Sequence, residues 1–140
     1  MAQVTTTKLV EGNSHLIIRV DLLSDGTGEL QNYVVLSPSD LDPPRPNNNP
    51  AFRIMQLWYG QSLFDTFLGF GTLQPVNVWT IAKDCDSHVD FRSFGGLVDL
   101  NTTPPSDDNG RFWISTKGFA APGSQGTMVV ELKKINTTNP

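Results

Sequence analysis

With 140 residues, a single cysteine and a formal charge of -4 from 14 acidic and 10 basic side chains, the chain is sized for one domain around one hydrophobic core. A chain of this length buries on the order of two-thirds of its unfolded surface, so the fold needs neither metal nor disulfide, and Cys85 alone cannot form an internal bridge. The charges stand in ones and twos without a basic stripe, which argues against nucleic-acid binding; no apolar run reaches the length of a membrane span, and Met1–Lys8 lacks the apolar core of a signal peptide, so a soluble product made in the cytoplasm is expected.

Residues 1–10, rich in threonine, read as a flexible arm. From His15 to Leu23, Leu16, Ile18, Val20 and Leu22 alternate with more polar residues, the period of a half-buried strand. The turn Ser24–Gly28 leads into a second β-rich run, Glu29–Ser37, and the two predict a hairpin. Five prolines and three consecutive asparagines between Pro38 and Pro50 predict a long exposed loop, because proline gives the ladder no donor and asparagine favours turns. Three strands follow in the most aromatic stretch: Arg53–Tyr59, Ser62–Phe70 and Val76–Ala82. A helix over Met55–Leu68 is the alternative, since apolar residues there also fall three and four apart, but aromatic and β-branched content favours strand. A polar loop, Lys83–His88, precedes Val89–Leu100, and the turn-rich Asn101–Gly110 precedes the last two strands, Arg111–Thr116 and Thr127–Ile135; 136–140 is a polar tail. The glycosylation triplets at Asn101 and Asn136 read as polar loop and tail residues. About eight short strands and no convincing helix predict an all-β chain, an antiparallel β-sandwich of jelly-roll-like or Ig-like type, forming one domain over 1–140.

Little in the sequence points to chemistry. Asp84, Asp86, His88 and Asp90 alternate around Cys85 and would share one face of a strand, but the spacing matches no zinc or calcium motif, so a solvated turn is expected and no metal. Neither His15 nor His88 sits in a nucleophile frame, and the acids flanking Cys85 would suppress a thiolate. Gly69–Gly71 and Phe94–Gly96 read as turn or bulge glycines, since no phosphate-loop context surrounds them. No catalytic residue, cofactor or metal ligand is therefore assigned. Strand alternation puts Trp58 and Tyr59 on opposite faces, and likewise Phe112 and Trp113, so one of each pair should face outward or lie at an interface.

Three strings carry a resemblance: Asp90-Phe91-Arg92-Ser93-Phe94-Gly95-Gly96-Leu97, then Gly110-Arg111-Phe112-Trp113-Ile114-Ser115-Thr116-Lys117-Gly118, then Thr127-Met128-Val129-Val130-Glu131-Leu132-Lys133-Lys134. Over about Gly12 to Lys134 the chain resembles small β-sandwich virion structural proteins of tailed bacteriophages. The resemblance implies a non-enzymatic particle component without cofactor, a capsid decoration (cement) protein on the virion surface. Its partner would be the major capsid protein, with self-association as a homo-oligomer, a trimer favoured. Candidate contact residues are Pro43, Pro44, Arg45 and Pro46 in the proline-rich loop, with Trp58 and Trp113. The alternative is a tail- or fibre-associated sandwich module that binds host-surface glycan through exposed aromatics.

Overall fold

The computed structural model describes residues 3–12, 14–26, 28–31, 33–41, 52–61, 63–70, 76–97, 111–119 and 122–134. Among the described residues there are nine strands: β1 (Gln3–Glu11), β2 (His15–Leu23), β3 (Tyr33–Leu36), β4 (Phe52–Gln61), β5 (Asp65–Phe70), β6 (Val76–Ile81), β7 (Asp86–Asp90), β8 (Phe112–Lys117) and β9 (Gln125–Lys134). Short 3-10 turns occupy Pro38–Asp40 and Arg92–Phe94. Among the described residues no helix is long and apolar enough to cross a membrane.

The strands form two antiparallel sheets, one in the order β1-β2-β9-β4-β7 and the other β3-β8-β5-β6. The pairing has a simple origin. β5 pairs with β6, β4 with β7, β3 with β8 and β2 with β9, as along one long hairpin whose tip is β5–β6. Rolling that hairpin up adds the pairs β4·β9 and β5·β8 and closes it into two facing sheets. This is the double-sheet jelly roll, with β1 added at the outer side of β2. Of the two sandwich types the sequence allows, the strand order selects the jelly roll.

Rolling also explains where the sequence misleads. His15–Leu23 and Glu29–Ser37 are neighbours along the chain, but as successive stations on one arm of the long hairpin they enter opposite sheets. β2 and β3 are therefore not a hairpin; Gly28–Gln31 is a crossover. The polar stretch predicted as a loop over Lys83–His88 contains most of β7, an edge strand whose Val89 alone packs against the core. An edge strand with one solvated face lacks the apolar signature of a central one. The segment predicted as a flexible arm over 1–10 is for the most part β1, paired with β2 from Gln3 to Glu11 around a bulge between Lys8 and Val10. Its side chains are nearly all exposed, so burial leaves no mark on the sequence, although the β-branched run Val4–Thr7 suits a strand. Within the proline-rich loop the 3-10 turn Pro38–Asp40 is described; Pro43, Pro44, Arg45 and Pro46 lie outside the described residues, as does the tail 136–140.

Between the sheets, Leu16, Ile18, Val20 and Leu22 of β2 face Phe112 and Ile114 of β8 and Leu68 and Phe70 of β5 in a single apolar cluster. Ile54 and Leu57 of β4, separated by a bulge, and Met128, Val130 and Leu132 of β9 complete it. Each fully buried side chain of this kind contributes about 1.5–3 kcal/mol. Phe64 and Phe119 plug one end edge to face, their ring centroids 4.7 Å apart.

Two polar clusters close the ends. Lys134, 5% exposed, places its ammonium 2.9 Å from a carboxylate oxygen of Glu11 and 2.8 Å from the carbonyl of Gly12, tying β9 to the β1–β2 turn. Glu29, on the crossover, accepts from the Thr116 hydroxyl (2.9 Å) and the backbone N–H groups of Gly118 (2.8 Å) and Phe119 (2.9 Å). Burial opposes the charged form of Glu29, but the hydrogen bonds from Phe119, Thr116 and Gly118 prevail and hold its carboxyl below the ordinary glutamate range.

Candidate functional site

The outward face of the five-stranded sheet carries His15, Trp58, Asp86, His88 and Asp90 of the residues singled out by the sequence. Register fixes which side chains share a row. One row runs Thr5, Asp21, Thr127, Gly60, Asp86 across all five strands, through the pairs Thr5↔Asp21, Asp21↔Thr127, Gly60↔Thr127 and Gly60↔Asp86. The next runs Thr7, Arg19, Val129, Trp58, His88, and the third Val10, Ile17, Glu131, Gln56, Asp90.

Of the acidic and imidazole residues around Cys85, the structure puts Asp86, His88 and Asp90 on this face, but they do not converge. Asp84 lies in the turn before β7 with φ of 57°, and its carboxylate accepts from the Leu63 N–H at 3.2 Å. His88 stacks on Trp58, with centroids 4.8 Å apart and planes 6° from parallel, and its Nε2 lies 2.9 Å from Gln56 Oε1. The Gln56 amide in turn donates to Glu131 at 2.6 Å. Asp90 holds the Arg92 guanidinium at 2.7 Å, and the side-chain and backbone hydrogen bonds from Arg92 pull its carboxyl down to about 2. Among the described residues no group of three or more histidine, cysteine, aspartate or glutamate side chains is placed to hold a metal ion. Cys85 is a half-buried free thiol. His15 lies on the outer face, exposed, with Nδ1 2.9 Å from the Ser14 hydroxyl.

The two tryptophans predicted as contacts differ. Trp58 is partly exposed on the outer face, as expected. Trp113 is 4% exposed, and its partner Phe112 is fully buried, so neither member of that pair faces solvent. Trp113 pairs across strands with Val34 and Gly69. As a surface contact residue Trp113 is therefore corrected to a buried one.

The glycines of the first resembling string are structural, as the sequence suggests. After the turn Arg92–Phe94, Gly95 and Gly96 take φ of 91° and 93°. Leu97 then bridges back to Ile54 with backbone bonds of 3.0 and 2.8 Å, beside the β4 bulge. A Cβ on Gly96 would stand 2.7 Å from Met55 Sδ and 3.0 Å from the Ile54 carbonyl oxygen. Phe94 beside them is 65% exposed.

Sequence reasoning missed the open side of β1. It is an outermost strand nine residues long with no strand neighbour beyond it among the described residues. Leu9 and Val10 there are 50% and 54% exposed. Its lone cation is turned back: Lys8 donates to Glu11 at 3.0 Å and to the Asp40 carbonyl. Proline, a free lysine or an inward charge normally guards such an edge, and Gln3–Thr7 carries none. The fold is a jelly-roll sandwich whose β1 edge has no strand neighbour among the described residues. No protein-family model matches the chain, and no curated protein matches it.

Proposed function

We propose that this chain is a non-enzymatic virion structural protein, a capsid decoration subunit that binds the major capsid protein and stabilises the head of a tailed bacteriophage. The observation that carries the reading is the open edge of β1. An unguarded edge strand accepts a strand from a partner, and its main-chain hydrogen bonds give affinity with little demand on the partner's sequence. Exposed Leu9 and Val10 supply the apolar contact beside that ladder. Modest contacts of this kind, repeated by the symmetry of a shell, add up to firm occupancy. The resemblance of residues 90–97, 110–118 and 127–134 to small virion proteins supports the same reading.

Antibody against this chain, visualised by immunogold electron microscopy on intact particles, should label the head. The double variant Leu9→Lys with Val10→Lys changes only exposed positions, so its stability should stay within about 0.5 kcal/mol of wild type while particle occupancy falls. Label confined to tails would move the protein to the tail- or fibre-associated station, and occupancy unaffected by the two lysines would refute the β1 contact.

A further inference from the structure

The row Thr5, Asp21, Thr127, Gly60, Asp86 is made of short side chains, and the row beside it carries Arg19, Trp58 and His88. A line of short residues beside a line of tall ones is a groove, and because the rows follow the register it runs across the strands. Two open depressions of about 300 and 370 Å³ lie along it and meet at Thr127. Five strands at the usual spacing give it a length of about 19 Å.

Gly60 makes the floor of one depression, and nothing among the described residues demands glycine there. Its φ is not left-handed, and a Cβ would meet only the Asp86 Cβ, at an ordinary 3.7 Å. A glycine inside a strand weakens it and marks a place where something approaches the backbone closely. The walls carry a definite chemistry. Trp58 offers a partly exposed indole, braced by the stacked His88, with no hydrogen-bond partner for its Nε1 among the described residues. The exposed Asp86 carboxylate likewise has no partner among the described residues, and the Thr127 hydroxyl donates to Asp21 at 2.9 Å, leaving its own oxygen able to accept.

We infer that this groove binds a neutral oligosaccharide lying across the five-stranded sheet. Between the two edge strands the amides under the groove are engaged in their own ladders, so there the ligand must be read by side chains. Carboxylates and a hydroxyl accept from sugar hydroxyls, and the indole covers the apolar C–H surface of a ring. Asp21 and Asp86 repel an anionic chain, and the one cation in the hollow around Asp21, Arg19, is held by that residue at 3.1 Å. A peptide laid across the strands would find no free ladder for its own amides. The inference does not rest on the virion assignment.

Saturation-transfer NMR on the full chain tests it, using maltohexaose, mannohexaose and chitohexaose as neutral probes and an oligosialic acid as the anionic one. Transfer to at least one neutral hexasaccharide is expected. Trp58→Ala and Gly60→Val should each weaken it by roughly tenfold or more, the loss of one well-placed contact. Gly60→Val introduces a good strand former where a Cβ fits, so it fills the groove without removing any packed group. Tyr33→Ala, on the opposite sheet, should bind as wild type. Absence of transfer to all three neutral probes, stronger transfer to oligosialic acid, or transfer unchanged in both groove variants would overturn the inference.

Discussion

Replacing Glu29 with glutamine tests how the jelly roll holds its crossover. The carboxylate gathers three donors from one end of the opposite arm: the Thr116 hydroxyl and the N–H groups of Gly118 and Phe119. Thr116 also meets Leu30, accepting from its N–H at 2.9 Å and donating its own N–H to the Leu30 carbonyl at 3.0 Å. The cluster thus fastens the passage from β2 to β3 onto the end of β8. A hydrogen bond to a charged group is worth about 1.5–3 kcal/mol net, and a neutral one about 1. Glutamine keeps one carbonyl acceptor and loses the charge and one acceptor oxygen. Glu29 is itself exposed, so water recovers part of the loss, and about 2 kcal/mol is the expected cost near pH 7. For a chain of this size that corresponds to a fall in Tm of about 7 °C. The sign of the pH dependence follows from the folded carboxyl lying below its ordinary range. The stabilisation is complete above the unfolded pKa and is lost as pH falls through the folded value. Urea unfolding of both proteins at about pH 7 and about pH 3 should show the gap narrowing in acid. Equal stabilities at neutral pH, or a gap of the same size at both, would refute the account.

Three further substitutions probe other parts of the same architecture. Lys134→Ala leaves Glu11 without its buried partner and should cost about 3 kcal/mol by chemical denaturation, whereas Lys134→Met, which keeps the packed stem, should cost clearly less; equal losses would mean that the ion pair and not the stem matters. Gly96→Ala forces a Cβ against Met55 and the Ile54 carbonyl at a φ of 93° and should destabilise by roughly 2–4 kcal/mol; a neutral result in thermal melts would show that the β4 bulge yields. Leu63, 57% exposed at a φ of 69°, should gain about 0.5–1 kcal/mol on replacement by glycine, read as a rise in Tm, and a fall would show that the leucine side chain has an unrecognised contact.

The sandwich was legible because its central strands bury one face each. The alternation of Leu16, Ile18, Val20 and Leu22 reads directly as a wall of the core, and Met128, Val130 and Leu132 as the strand beside it. Edge strands β1 and β7 were not legible, since they expose most side chains and leave hydrogen bonding, which has no residue signature, to define them. Pairing was the other gap. Nothing in Ser24–Gly28 distinguishes a hairpin turn from the start of a crossover, and only the facing sheet decides it. For the candidate site, the tryptophan of Trp58 and the acids of β7 stood out individually, but the groove is a property of register across five strands. Its sequence trace is one glycine, Gly60, inside β4.

The rolled hairpin also governs the order in which the molecule can be built. β5 and β6 pair across a short connection, whereas Leu23 of β2 and Gln125 of β9 pair although roughly a hundred residues separate them. Folding should therefore start near the β5–β6 tip and be slow, as loop closure over such separations demands. β9 lies between β2 and β4, so until it arrives the five-stranded sheet exists as two separate fragments, each with an unpaired inner edge. On the ribosome that interval lasts until the last described strand has emerged. During it the nascent chain exposes the strand edges and apolar faces that the finished molecule conceals, and it is then most open to association with its own copies.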